Sequence, residues 1–186
     1  MLSVLSNLTM AALVVGAVLV HARHSSLKNI LRYFTALSNL FCAAAALALA
    51  LARLGGVPSL PLLLFKYVGT VAVLVTLLTV LLFLGPHYGY KMLFSGPDLW
   101  LHLVCPLLAL LSYLLWDRAP LRLGTALLGV LPVLLYGLLY LRRVVFQQRW
   151  EDFYGFNKQG KWPVAFACMV AGTFVICMGI MALQNL

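Results

Sequence analysis

The stretch Tyr67–Leu84, YVGTVAVLVTLLTVLLFL, contains no charged side chain. Crossing a hydrocarbon layer about 30 Å thick takes roughly 20 apolar residues in a helix. A lone strand there would leave backbone N–H and C=O groups without partners, so helix is the only sensible state. Five more runs of the same character flank it: Leu2–Val20, Tyr33–Ala52, Leu99–Trp116, Leu123–Leu141 and Trp162–Leu183. The sequence therefore predicts an all-α, polytopic integral membrane protein, a six-transmembrane-helix bundle formed by one domain over residues 1–186. The first run has no basic leading region and no small-residue cleavage site before His21, so it reads as a span and not as a signal peptide.

Composition excludes the soluble alternative. Of 186 residues, 64% are hydrophobic and 9% charged, and the mean hydropathy is +1.03. A soluble domain of this length has too little interior to hide that much apolar surface. The connections are short, which implies antiparallel neighbours in a compact bundle. Arg53 to Lys66 reads as a loop marked by Gly55, Gly56, Pro58 and Pro61. Gly85 to Asp98 reads as another, and Asp117 to Arg122 as a tight turn. The longest polar stretch is Arg142 to Lys161.

The formal net charge of +9 arises from 13 Lys and Arg against four acids. In a chain of this kind it reports topology and not a nucleic-acid partner. The first, third and fifth connections hold Arg23, Lys28, Arg32, Lys91, Arg142, Arg143, Arg149, Lys158 and Lys161. The other side holds Arg53, Lys66, Arg118 and Arg122. The positive-inside rule then places the odd connections in the cytoplasm of a multi-pass cell-membrane protein. Membrane lipids are the expected partners, with anionic headgroups drawn to the basic side. Cys42, Cys105, Cys168 and Cys177 all fall in spans without ligand spacing, so no disulfide, no metal and no cofactor is expected.

Spans two, four and six enter from the odd-connection side, so their first turns share a depth. In span two, Thr35, Ser38, Asn39 and Cys42 stand at i, i+3, i+4 and i+7 and form one polar stripe, which should face the bundle. Phe34, Leu37, Leu40 and Phe41 make up the opposite face. In span four, Asp98 follows Pro97 and is placed to cap the helix. His102 lies one turn deeper, with Cys105, Pro106 and Ala109 continuing its face. Thr35 and His102 match in depth to about one turn. Small polar residues are common helix glue, whereas an ionisable intramembrane residue such as His102 points to function. Tyr136 and Tyr140 in span five read as an aromatic pair that lines a cavity or simply stacks. Trp150, Phe153, Tyr154, Phe156 and Trp162 read as interfacial anchors.

The segments Arg32-Tyr33-Phe34-Thr35-Ala36-Leu37-Ser38-Asn39-Leu40 and Asp98-Leu99-Trp100-Leu101-His102, with Pro106, resemble the androgen-induced and androgen-dependent membrane hydrolase family and its bacterial relatives. The loop Asp152-Phe153-Tyr154-Gly155-Phe156-Asn157 looks like an aromatic loop before the last span of those relatives. The resemblance implies about six helices and hydrolysis of fatty acid esters of hydroxy fatty acids, with Thr35 in the place of the nucleophile and His102 of its partner. The chemistry is consistent with the residue types. A threonine hydroxyl attacks only when a base takes its proton, and an imidazole does so at neutral pH. Asp98 would orient the ring, and Ser38 or Asn39 would donate to an oxyanion. Cys105, Tyr136 and Tyr140 complete the expected surroundings of a lipid-like acyl substrate. Two other readings stand beside it. One is a non-catalytic lipid or small-molecule binding or transport protein. The other is a metal or haem site built from His21, His24, His87 and His102, which lack ligand-spaced motifs.

Overall fold

In the computed structural model, residues 1–184 are described and every regular element among them is helical. Six helices are long and apolar enough to span a membrane: α1 (Leu2–Ala22), α2 (Phe34–Leu54), α3 (Leu60–Tyr88), α4 (Gly96–Trp116), α5 (Leu123–Phe146) and α6 (Trp162–Leu183). The chain is a multi-pass membrane bundle. Its central helix is α3, which packs against α2, α4, α5 and α6. Within their apolar windows, 67% of α3 is buried against 17% of α6, so α6 faces outward over most of its surface.

The largest departures from the expected spans are in α3, which runs from Leu60 to Tyr88 instead of Tyr67 to Leu84, and in α5, which continues through Arg142 and Arg143 to Phe146 instead of ending at Leu141. Pro61 reads as a loop marker in the sequence, and Pro86 lies in the loop predicted for Gly85 to Asp98. Pro61 instead sits in the first turn of α3, where a missing N–H costs nothing. The helix therefore begins at Leu60, and Lys66 is a helical residue, not a loop cation. It is fully buried. Its burial inside the bundle takes it out of the charge tally, which leaves Arg53, Arg118 and Arg122 on the even side.

Pro86 and Pro106 each follow a widened, π-type turn, at Val80–Leu84 and Trp100–Val104. A proline removes the bond to the carbonyl four residues earlier and its ring crowds that carbonyl, so the preceding turn opens. For Pro106 the carbonyl in question belongs to His102.

The polar stripe of α2 faces inward as expected. Ser38, Asn39 and Cys42 are buried, and Thr35 is half-buried. One residue of the opposite face is displaced from its expected setting. Phe34 is buried, with its ring centroid 5.1 Å from that of Tyr136. The inward face of α2 lies close to α3. A Cβ added at Gly69 would stand 2.8 Å from Cys42 Cα, so glycine is what permits this backbone approach.

Candidate functional site

Pro106 also organises the region around Thr35 and His102. The Cys105 N–H reaches back to the Trp100 carbonyl, and Pro106 has no N–H. The Leu101 carbonyl is left without a donor from the widened turn. Asn39 supplies one: its Nδ2 donates to Leu101 O at 3.0 Å and to Thr35 O at 2.8 Å. One amide thus ties the first turn of α2 to the turn of α4 that carries His102. Replacing Asn39 with Leu leaves the Leu101 carbonyl buried and unbonded, at a cost of about 1–3 kcal/mol. Thermal unfolding in detergent should show the loss, and an unchanged melting curve would contradict it.

Both Asn39 hydrogens are committed to these carbonyls, so the expected oxyanion role does not fit it. Ser38 has one hydrogen and two neighbours, Thr35 O at 3.2 Å and Thr76 Oγ1 at 3.0 Å. It too serves the helix contacts. Asp98 is likewise placed differently from expectation. It lies in the first turn of α4 without a side-chain capping bond, and its carboxylate meets His21 Nε2 at 3.0 Å. It joins the start of α4 to the end of α1 and does not orient His102.

His102 is buried, and its Nδ1 lies 2.8 Å from the Leu93 carbonyl. A carbonyl only accepts, so Nδ1 carries the hydrogen. In the neutral ring Nε2 then presents its lone pair, the tautomer a general base requires. Thr35 lines a cavity of about 40 Å³ together with Phe34, Thr76, Thr79, Tyr136 and Tyr154. That is room for a water or two. His102 is not among the lining residues, and among the described residues no hydrogen bond joins it to Thr35.

The neighbour that Thr35 does acquire is Tyr154, read from sequence as an interfacial anchor. The phenol turns inward, accepts the Phe34 N–H at 2.9 Å and stands beside the Thr35 hydroxyl. Burial pushes its pKa up to about 12, so it keeps its hydrogen at neutral pH. Only the resemblance of the 152–157 loop signalled it.

That loop is folded around Asp152. Its carboxylate accepts from Tyr140 Oη at 2.8 Å, Phe156 N at 2.9 Å and Asn157 N at 2.8 Å. Tyr140 is thereby a buried support of the loop. Tyr136 lines the cavity and donates to Arg32 O at 2.7 Å. The two rings lie 6.0 Å apart, tilted and not stacked. Cys105 packs among Ala11, Val14, Ala43 and Leu101, away from the cavity.

Outside the cavity, a groove of about 770 Å³ runs between α2, α3 and α5. Leu37, Phe41, Leu64, Val68, Leu131 and Leu135 line it. Phe34 and Tyr136 belong to both spaces, so this aromatic pair is the wall between the groove and Thr35.

A second polar cluster, absent from the sequence reading, occupies the opposite end of the bundle. Asp117 is fully buried at the end of α4. It accepts from Ser3 Oγ at 2.6 Å and Asn7 Nδ2 at 2.8 Å, and pairs with Arg53 at 3.0 Å. Lys66 lies near, its Nζ 3.7 Å from Met10 Sδ. Among the described residues, no group of three or more His, Cys, Asp or Glu side chains is placed to hold a metal ion.

No family model, curated protein or solved structure matches this chain.

Proposed function

We propose that this protein is an intramembrane hydrolase of lipid esters, of the kind that cleaves fatty acid esters of hydroxy fatty acids. The observation that carries this reading is the placement of Thr35. Its hydroxyl stands in a water-sized cavity beside a protonated phenol, one aromatic wall away from an apolar groove with room for an acyl chain.

In this reading the chain lies in the groove, and the Phe34–Tyr136 pair parts to admit the ester. Thr35 Oγ attacks the carbonyl carbon while its proton passes through a water to His102 Nε2. The Tyr154 phenol donates to the oxyanion. His102 then protonates the leaving alkoxide, and water repeats the sequence to free the acid and Thr35. The odd connections lie on the cytoplasmic side.

Labelling with a fluorophosphonate probe tests the assignment. Thr35→Ala and His102→Ala should each abolish labelling while the protein elutes from size exclusion as before. Undiminished labelling in both would sink it.

The separation of His102 from the cavity favours a second reading, a lipid-binding protein without turnover. Retention of an acyl ester that is recovered intact after long incubation would support that reading.

A further inference from the structure

On the odd-connection side, a cleft of about 620 Å³ is lined by Lys28, Arg32, Arg143 and Arg149, with Leu31, Leu139 and Trp150. Four cations converge and no acid lines the cleft. The Arg32 guanidinium lies 6.0 Å from the centre of the Trp150 ring. Arg143 uses Nη1 on Gln147 Oε1 at 3.0 Å, while its Nε is buried without a partner. A buried guanidinium N–H with nothing to bond is rare and costly. Glu151 lines a neighbouring hollow that shares Arg32, Arg149 and Trp150, and the Asp152 carboxylate is taken up by Tyr140 and the loop N–H groups.

The cleft does not end in protein. Leu139 lines both it and the apolar groove, so the two spaces meet at one side chain. The groove's α5 wall runs from Leu128 to Leu139. At 1.5 Å per residue that is about 16 Å, roughly half the hydrocarbon thickness. A charged cleft opening onto an apolar groove one leaflet deep matches the two ends of an anionic amphiphile. A free inorganic anion would satisfy the cations and leave the groove unexplained. A neutral lipid would fill the groove and leave the cations unpaired.

We propose that the protein holds one anionic phospholipid, its phosphate headgroup in the Lys28–Arg32–Arg143–Arg149 cleft and an acyl chain in the groove beneath. The headgroup phosphate is neutralised by the four converging cationic side chains. Trp150 and Leu31 cover the glycerol region. The site shares the apolar groove with the acyl chain of the proposed hydrolase substrate and does not use the Thr35 hydroxyl.

The test is native mass spectrometry of the full chain in detergent. It is incubated with phosphatidylglycerol or with phosphatidylcholine of the same chains. The wild type should retain phosphatidylglycerol in preference. Arg143→Gln with Arg149→Gln should cut that retention by about 30-fold, near five-fold per cation. The charge-keeping pair Arg143→Lys, Arg149→Lys should retain most of it, which separates loss of charge from loss of fold. Leu139→Trp, which blocks the junction, should weaken retention of the lipid while the cleft stays basic. Thr35→Ala should bind like the wild type.

Equal retention of the two lipids by the wild type would overturn the proposal. So would a Gln pair that binds as the wild type does. Displacement of the lipid by millimolar inorganic phosphate as effectively as by a second phospholipid would overturn the part assigned to the groove.

Discussion

Asp117→Ala should destabilise the bundle by about 3–5 kcal/mol, the usual result of removing one partner from a buried pair. The carboxylate is fully buried and is the meeting point of three helices: Ser3 and Asn7 from α1, Arg53 from α2, and its own α4. Alanine leaves the Arg53 guanidinium without its anion and strands the hydrogens of Ser3 and Asn7. Arg53 keeps one other acceptor, the Trp116 carbonyl at 2.8 Å, which cannot balance a charge. Asp117→Asn should fall between the two, since an amide retains one acceptor and no charge. Lys66 gives a contrast. Among the described residues it donates only to a thioether and completes no ion pair, so Lys66→Met should be neutral or stabilising. Detergent melting curves of the three variants check the ordering. An Asp117→Ala protein as stable as the wild type would show that the cluster is not what holds this end of the bundle.

On the proposed hydrolase reading, Thr35→Ala should lower hydrolysis of an acyl ester by at least about 10³-fold, because loss of the nucleophile that reading assigns leaves only binding and oxyanion contributions. Thr35→Ser should retain measurable activity. Tyr154→Phe keeps the ring and its packing and deletes the hydroxyl beside Thr35. By the effect of losing one oxyanion donor, it should cost about 10²–10³ in kcat, with KM little changed because the groove is intact. A Tyr154→Phe enzyme with unaltered kcat and a raised KM would assign the phenol to substrate binding alone. The phenol also accepts the Phe34 N–H, so the melting temperature of this variant must be read alongside its rate.

Several features of the site can be read directly from residue spacing. Thr35, Ser38, Asn39 and Cys42 recur at helical intervals, and their shared face does turn inward. Pro106 signals the widened turn at His102, because a proline acts on the carbonyl four residues before it. Phe34 is different. Its place opposite the stripe puts it toward lipid on an isolated helix, and only the presence of α5 and Tyr136 makes that position interior. Lys66 and Asp117 resemble flanking charges, since a window that looks for uninterrupted apolar runs stops at the first ionisable residue. Helix α3 does not stop there, because Pro61 can begin a helix as readily as end one.

The sequence by itself determined the membrane class, the six spans, the inward stripe of α2 and the basic side of the protein. Each of these depends on composition or on spacing within one segment, and the hydrocarbon layer imposes the rest. The tertiary structure alone decided which polar groups become partners. Asn39 bonds the Leu101 carbonyl in the widened turn before Pro106, Asp98 goes to His21 and not to His102, Tyr154 folds back onto the start of α2 and the cavity that holds Thr35, and Asp117 gathers α1 and α2. Hydrogen bonds are short and directional. Their pairing depends on how helices far apart in sequence are rotated and offset against one another, which no single segment encodes.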